Sequence, residues 1–515
     1  MDLGTLFHFA VRRDPTAEAI VDGDIRRSYE NWYAVIRAAA GGLHAMGLRA
    51  GDHFVVAMRN RYETATLYWA CQMLGLIFTP VTWRASASEL LYCLEDAEAA
   101  AIAFDDGPGS AVADALASFE IPSDRVIVAS GGDGEGIAFE KLLQAQPVKG
   151  PAKPPPSDTC LMLYTSGTTG RPKGVPRSHR AEHMAGLSQL IHNRYRLGES
   201  ALAVMPMFHT MGVRTMLSSA MVNGKLVCLP QYTPGAVIRF TESERISSLF
   251  LVPTMFHDVM AHELMDRADL SGLQRMGYAG MTMTTALEED ILERLAPELF
   301  VNFYGSSEIY TFSVCDHLDR KPGCAGRPGV NQSLRVVSPN AAPDEVEATV
   351  GPGETGEIIA SMSSPEAFSR YWKRPDADAK ALQRGWYRTG DLGYFDDEGE
   401  LYVAGRVDDM IISAGENIYP EEVEDILTRL DAVSSVAVVG VPDDRLGQKV
   451  VAHIQVAKGA EFDSHALDQA CLNSGLARFK RPREYVSVDA LPRSATGKLL
   501  RRKLREPDEV EPAKP

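Results

Sequence analysis

The stretch YTSGTTGRPKG, from Tyr164 to Gly174, sets four serine or threonine hydroxyls and three glycines around one lysine. That composition suits a loop wrapped around a polyphosphate: glycine lets backbone N–H groups approach closely, hydroxyls add donors, and Lys173 adds positive charge. Leu161 to Thr165 reads as a buried strand leading into it. Ser178 is placed to cap a following helix with Met184, Leu187 and Ile191 on its apolar face. The generic P-loop pattern, GxxxxGK[ST], fails here. Counted from Gly167, Pro172 stands where the second glycine belongs, and Gly174 where Ser or Thr must hold Mg²⁺.

Outside this loop the composition is that of a globular protein. The chain has 515 residues, 45% of them hydrophobic, enough for two or three domains with buried cores. A net charge of −17 opposes non-specific binding to nucleic acid or anionic membranes, so neither is an expected partner. One local exception runs from Arg478 to Arg505, where ten Lys/Arg face only Glu484 and Asp489. It reads as a patch for a small polyanion. Seven scattered cysteines without a CxxC fit reduced thiols. The start lacks a basic leader, apolar runs such as Met73 to Val81 are too short to span a bilayer, and a cytoplasmic location is expected. The end, Glu506 to Pro515, is expected to fray and carries no peroxisomal tripeptide.

Short apolar strands such as Phe54 to Ala57, Val204 to Met205 and Ser247 to Val252 alternate with helical spacing such as Trp32 to Met46, an α/β pattern. Pro147 to Asp158 holds five prolines and reads as an exposed connector. Beyond Gly405 the texture becomes that of a compact α+β module. Strands are expected at Met410 to Ser413, Ser435 to Val439 and Val450 to Gln455, and helices from Pro420 and near Ala466 to Leu472.

Four further motifs follow the loop in order. MPMFH spans Met205 to His209, and YGSSE spans Tyr304 to Glu308. WYRTGDLGYFDDEG from Trp386 runs on toward GRVDDMIISAGENIYPEEVE from Gly405, and PRSATGK covers Pro492 to Lys498. With the loop, they make nearly the whole chain resemble the adenylate-forming superfamily: acyl- and aryl-CoA synthetases, peptide-synthetase adenylation domains and luciferase. Motif wording such as VDDMIISAGENI and FKRPREY is most similar to the halobenzoate and other aryl-CoA ligases. The resemblance implies an α/β fold, with a large N-terminal domain at 1–407 of α/β subdomains plus a β-barrel-like subdomain. A mobile α+β lid would follow at 408–515, hinged at Asp408.

It also implies a reaction. A carboxylate is a poor acyl donor, so it attacks the α-phosphate of ATP; the resulting acyl-adenylate then passes its acyl group to a thiol, releasing AMP. Thr165, Ser166, Gly167, Thr168, Thr169, Gly170 and Lys173 would hold the departing pyrophosphate. Tyr304, Gly305 and Ser306 would border the adenine, and Ser307, a serine where threonine is usual, would reach the α-phosphate. Glu308 would bind Mg²⁺ together with Thr168 and the ATP phosphates. Asp391 would accept from the ribose hydroxyls, Arg406 would add charge nearby, and Lys498 would enter between carboxylate and α-phosphate.

For coenzyme A, the resemblance points to Gly415 and Glu416 along the pantetheine arm, and to Arg84, Phe479, Arg481 and Arg483 at the nucleotide end. Leu446 replaces an aromatic contact there. The acid pocket matches Ser188, His209, Thr210, Met211, Ala279, Gly280, Met281, Phe303, Tyr310 and Thr311. Peptide synthetases carry an aspartate at the place of His209 to pair with an ammonium, so α-amino acids are disfavoured. Aromatic and thioether walls beside small residues suit an aromatic or cyclic acid, with medium-chain fatty or hydroxy acids as the alternative. Arg214, inside an apolar stretch, is expected to snorkel to the surface; the sharper reading is a contact to a second polar group of the substrate.

Other classes are weaker. His179-Arg180-Ala181-Glu182-His183 spells the HxxEH zinc-peptidase pattern, but no third ligand motif accompanies it. A non-catalytic scaffold would be expected to have lost Glu308, Asp391 or Lys498. A carrier-protein acceptor would suit a following carrier domain, so free coenzyme A is the expected acceptor, with a homodimer left open.

Overall fold

The computed structural model describes residues 1–105, 111–129, 136–152, 158–165, 172–338, 341–342, 344–413, 416–443, 445–474, 476–493 and 499–505. Within these, the chain packs as two compact units, 1–333 with 361–385, and 334–360 with 386–515. The packing boundary thus falls at Gly385, before the Asp408 position expected for a hinge.

The first unit holds two sheets. In one, the described strands run in the order Ile137–Ala138, Val126–Val128, Ala101–Phe104, His53–Ala57, Ile77–Pro80, Thr159–Thr165 and Lys173–Ser178. All pairings are parallel except the last. In the other, Arg275–Ala279 and Leu299–Tyr304 pair in parallel near one edge, where Ser313–Cys315 adds antiparallel to Leu299–Tyr304. Near-continuous apolar strands such as His53–Ala57 are buried along their length, as parallel strands covered on both faces must be. The strand expected at Val204 to Met205 forms instead at Ser200–Ala203, with both residues beyond its end.

Ser178 caps the His179–His192 helix as expected, its hydroxyl accepting from the Ala181 N–H at 3.0 Å. The face that helix buries is not the expected one. Ile191 is 58% exposed, whereas Ala181, Glu182, Ala185, Ser188 and Gln189 are buried. Small and polar residues face inward because Arg177, itself fully buried, supplies the charge that satisfies Glu182.

The second unit contains two antiparallel arrangements. Leu334–Val337 pairs with Gly356–Ser361, and Trp386–Phe395 with Leu401–Arg406. The segment expected to be barrel-like is thus built from paired antiparallel strands. The C-terminal sheet takes the order Glu416–Ile418, Ile411–Ser413, Gly447–Val456 and Val433–Asp443, with Glu484–Ser487 added to Gly447–Val456. Helices Pro420–Leu427 and Ser464–Asn473 bury Val423, Leu427, Leu467 and Cys471 in a core shared with Ile411, Val438 and Val450. Four cations of the basic run are taken up inside this unit: Lys480 with Glu422, Arg481 with Asp468, Arg501 with Glu424, and Arg505 with Asp409. Less of the run is therefore available to a polyanion than its sequence suggests.

Candidate active site

The signature loop joins two antiparallel strands. Thr165 stands opposite Lys173, and Tyr164 opposite Gly174. In a Walker site a strand passes through the loop into a helix; here the helix begins only at His179. Ser166, Gly167, Thr168, Thr169 and Gly170, together with Gly415 and Lys498, lie outside the described residues. Both ends of the loop are braced. The Tyr92 hydroxyl donates to the Pro172 carbonyl at 3.0 Å, Tyr164 donates to Asp96 at 2.8 Å, and the Trp372 amide donates to the Gly174 carbonyl at 2.9 Å.

Tyr371, next to Trp372, connects this loop to the YGSSE motif. The Lys173 ammonium lies 4.3 Å from the centre of the Tyr371 ring, and the Tyr371 hydroxyl donates to the Glu308 carboxylate at 2.6 Å. Glu308 is buried, and its backbone carbonyl accepts from Arg177 at 2.9 Å. The motif is tightly turned: the Ser306 N–H bonds the Ile309 carbonyl at 3.0 Å, and a Cβ at Gly305 would come within 2.0 Å of the Tyr310 carbonyl oxygen. Tyr304 ends its strand with its ring 5.0 Å from Phe312. A buried carboxylate oriented by a phenol, near a lysine on a glycine-rich loop, fits a hard cation carried with phosphates.

The MPMFH motif ends in His209, which caps the Thr210–Met221 helix; its Nδ1 accepts from the Met211 N–H at 3.3 Å. Met211 and Phe303 share one apolar cluster with Ala279 packed against it. Ser188 donates to Thr311 at 3.4 Å, both buried. Gly280, by contrast, is exposed at the turn after Arg275–Ala279. Arg214 does not snorkel. It is 6% exposed, with its guanidinium 4.9 Å from the Phe303 ring centre and 6.0 Å from that of Tyr310. One long hydrogen bond reaches the Tyr310 carbonyl at 3.4 Å, and Nε and Nη2 find no partner among the described residues. The stem cannot reach water because the helix carrying it is buried nearly all round. His192 packs edge-on against Phe303 at 5.9 Å, and burial, aided by Arg214, depresses its imidazole to about 4.

In the second unit Asp391 and Arg406 are register partners and form an ion pair at 2.5 Å. Sequence reading gave them separate roles and missed the pairing. Asp408 lies in the short turn Val407–Asp409, its carbonyl accepting from Arg505 at 2.9 Å. Among the coenzyme A candidates, Arg84 stacks on Trp83 at 4.4 Å, Phe479 is 40% exposed, Arg483 and Glu416 are exposed, and Arg481 is held by Asp468.

The HxxEH pattern is structural. Glu182 is fully buried against Arg177 at 2.8 Å, and His179 accepts from the Leu3 N–H at 3.3 Å. Sequence reading also missed Tyr371, Arg177 and Asp96. The aromatic pair Tyr371-Trp372 before Lys373-Arg374-Pro375 was the signal available for the first.

Two family models match the chain: AMP-binding enzyme over residues 7–372 and AMP-binding enzyme C-terminal domain over 422–498. The chain belongs to the AMP-binding enzyme family. Within it, the chain is an ATP-dependent, AMP-forming acid–CoA ligase, and ligases of this class use ATP, Mg²⁺ and coenzyme A. It is 34% identical over 500 residues to a feruloyl-CoA synthase of Amycolatopsis sp, covering 96% of each chain. Similarity also extends to a 4-chlorobenzoate–CoA ligase of Arthrobacter sp at 32% (97% and 94% covered) and a long-chain-fatty-acid–CoA ligase of Mycobacterium tuberculosis at 31% (98% of each). Among solved structures, o-succinylbenzoate CoA synthetase of Bacillus subtilis with its acyl-adenylate intermediate superimposes with a TM-score of 0.86 at 25% identity, over 99% of each chain. No helix among the described residues is long and apolar enough to cross a membrane.

Proposed function

We propose that the acid activated here is aromatic and carries a second hydrogen-bond acceptor away from the reacting carboxylate. The observation behind this is Arg214, a buried cation with unmatched donors beside Phe303 and Tyr310. The Glu366 and Glu182 carboxylates act on this guanidinium without bonding it; buried donors left unmatched are costly, and an acceptor brought by the substrate would offset that cost. Named relatives that act on feruloyl and chlorobenzoyl groups support the aromatic part of the reading.

In the proposed mechanism a carboxylate oxygen bonds to the α-phosphorus, and the bond from that phosphorus to the β-phosphate bridge breaks. Lys173 and the loop hydroxyls Thr165, Ser166, Thr168 and Thr169 hold the leaving pyrophosphate, and Gly167 and Gly170 give their backbone N–H groups. Glu308 and Thr168 hold Mg²⁺, which supplies charge neutralisation on the phosphates. Tyr304 to Ser307 hold the adenine and α-phosphate, the Asp391–Arg406 pair takes the ribose, and Lys498 neutralises charge between the reacting groups. Segment 408–515 then turns about Asp408, and the coenzyme A thiolate attacks the acyl carbon as AMP leaves. Gly415 and Glu416 flank the thiol arm, and Phe479 and Arg483 take the nucleotide end with Arg84. Arg481 joins them only by leaving Asp468. The assembly proposed is a cytoplasmic homodimer without nucleic-acid or membrane partners, in keeping with the net charge of −17; light scattering on the eluting protein tests the dimer.

The test is pyrophosphate release across benzoates, cinnamates, ring-hydroxylated and ring-carboxylated acids, alicyclic acids and fatty acids, with and without coenzyme A. Acceptor-bearing aromatic acids should lead in kcat/KM. A fatty acid in first place would favour the aliphatic alternative.

A further inference from the structure

Seven buried cysteines are distributed through the described residues, and two of them converge with a histidine on elements next to the strand that carries Phe303 and Tyr304. Cys315, His317 and Cys324 each place one ligand atom within 4.8 Å of the other two. Both cysteines are fully buried, and the histidine is half-buried. Cys315 ends the strand Ser313–Cys315, second from the sheet edge, and Cys324 returns on the loop before the edge strand Arg327–Pro328, which pairs with Ser313–Cys315.

Three surrounding features are arranged as they are around metal-bound ligands. The Gly326 N–H donates to the Cys324 sulfur at 3.0 Å, a bond that favours the thiolate. Gly326 is held there by its backbone: its φ is +83°, and a Cβ would lie 2.0 Å from the Val314 carbonyl oxygen. The Asp316 carboxylate meets His317 Nδ1 at 3.1 Å and is anchored by Arg194 at 2.7 Å. A carboxylate on one imidazole nitrogen fixes the ring and its tautomer for ligation through the other. The return of the loop is fixed as well. Asn302 donates to the Cys324 carbonyl at 2.8 Å, and the Gly323 N–H donates to Glu288 at 3.0 Å.

We propose that Cys315, His317 and Cys324 bind one Zn²⁺ ion, with a water as the fourth ligand, as a structural clamp. Two thiolates and an imidazole select a borderline-soft ion, whereas Mg²⁺ takes oxygen ligands, so this ion is separate from the one that accompanies ATP. In a tetrahedral zinc site, bond lengths of about 2.0–2.3 Å put ligand atoms roughly 3.5–3.8 Å apart, a small contraction from the observed upper bound. Both thiols enter as thiolates, so binding releases two protons to solvent. The clamp closes the 315–324 loop and fixes Ser313–Cys315, whose register partners are Asn302, Phe303 and Tyr304. The acid-pocket wall and the adenine motif are thereby braced from the sheet edge.

Elemental analysis of the full-length protein, purified without metal-affinity resin, should find about one zinc per chain. Cys324→Ser and His317→Ala should each lower that content roughly tenfold or more. His183→Ala, in the HxxEH helix, should leave it unchanged. Cobalt exchanged into the wild-type protein should give a thiolate-to-metal charge-transfer band in the near ultraviolet, so the spectrum decides the matter even if the serine variant fails to fold. Three results overturn the proposal: wild-type protein that keeps no zinc after Zn²⁺ incubation and gel filtration and shows no cobalt band; zinc retained by both ligand variants or lost from His183→Ala; or a Cys315–Cys324 disulfide in unreduced peptide maps.

Discussion

The Tyr371 phenol donates a 2.6 Å hydrogen bond to the Glu308 carboxylate, joining side chains 63 residues apart in the chain. The face of the same ring meets the Lys173 ammonium at 4.3 Å. One aromatic side chain thus orients the acid assigned to Mg²⁺ and rests against the lysine of the signature loop. Tyr371→Phe keeps the ring and removes only the hydroxyl. It should lower kcat for acid-dependent ATP/pyrophosphate exchange by about 10- to 100-fold and raise the Mg²⁺ concentration needed for half-maximal rate, with little change in Tm. An unchanged Mg²⁺ dependence would reduce Tyr371 to a packing residue.

Arg214 offers a sharper test of substrate choice. A hydrogen bond to a charged group contributes about 1.5–3 kcal/mol, so Arg214→Met should lower kcat/KM roughly 10- to 150-fold for acceptor-bearing aromatic acids. Unsubstituted benzoate or cinnamate should be affected little or even favoured. Equal losses on both kinds of acid would mean that Arg214 supports the pocket only through packing against Phe303.

How far the sequence could be read depended on whether information was local. The Ser178 cap and the helices expected at Trp32 to Met46 and from Pro420 depend on neighbours within a few residues; the cap forms, and the helices run Tyr29–Ala45 and Pro420–Leu427. What escaped were partners distant along the chain. Arg177 and Glu182 cancel each other's charge, so a helix expected to bury Leu187 and Ile191 buries an acid instead. Arg214 looked amphipathic in isolation, but its helix is enclosed by strands and helices hundreds of residues apart in places, which leaves no route to water. The basic run from Arg478 appeared unpaired because Glu422, Asp468, Glu424 and Asp409 are recruited from elsewhere. Register pairing likewise brought Asp391 to Arg406, which the motif spacing alone did not indicate.

In the proposed mechanism Lys498 serves the first half-reaction and not the second. If its ammonium acts only while charge builds between carboxylate and α-phosphate, Lys498→Ala should abolish acid-dependent exchange, a loss of about 10²–10³ or more. Thioester formation from synthetic acyl-adenylate should stay within a few-fold of normal. Loss of both halves would instead indicate a folding defect or a role in closing the site; normal exchange would remove Lys498 from the mechanism.

The Arg177–Glu182 pair predicts a cost in stability rather than in chemistry. Both side chains are fully buried, and Arg177 also donates to the Glu308 and Glu366 carbonyls at 2.9 and 2.7 Å. Arg177→Met strands Glu182 and those carbonyls, and it should destabilise the first unit by about 3–5 kcal/mol in urea denaturation. Glu182→Gln keeps an acceptor for Arg177 and should cost less. If Glu182→Gln also left the protein stable but abolished activity, Glu182 would have a chemical role.

His192 supplies the pH dependence. Burial and the nearby Arg214 cation hold its imidazole at about 4, below the usual 6.5, while Asp316 pulls the other way. Between these two values the unfolded chain binds more protons at this site than the folded one. The contribution to stability is therefore complete above about pH 6.5 and is lost as the pH falls toward 4. His192→Gln retains an acceptor for the Val330 N–H, now 3.2 Å from Nε2, but cannot take up the proton. Its stability should fall less steeply than that of the parent between pH 7 and pH 5, measured as the shift of the urea midpoint. Arg214→Met removes the neighbouring cation and should raise the His192 titration midpoint seen by NMR. A midpoint unmoved by that substitution would show that burial alone neutralises His192 and that Arg214 does not act on it.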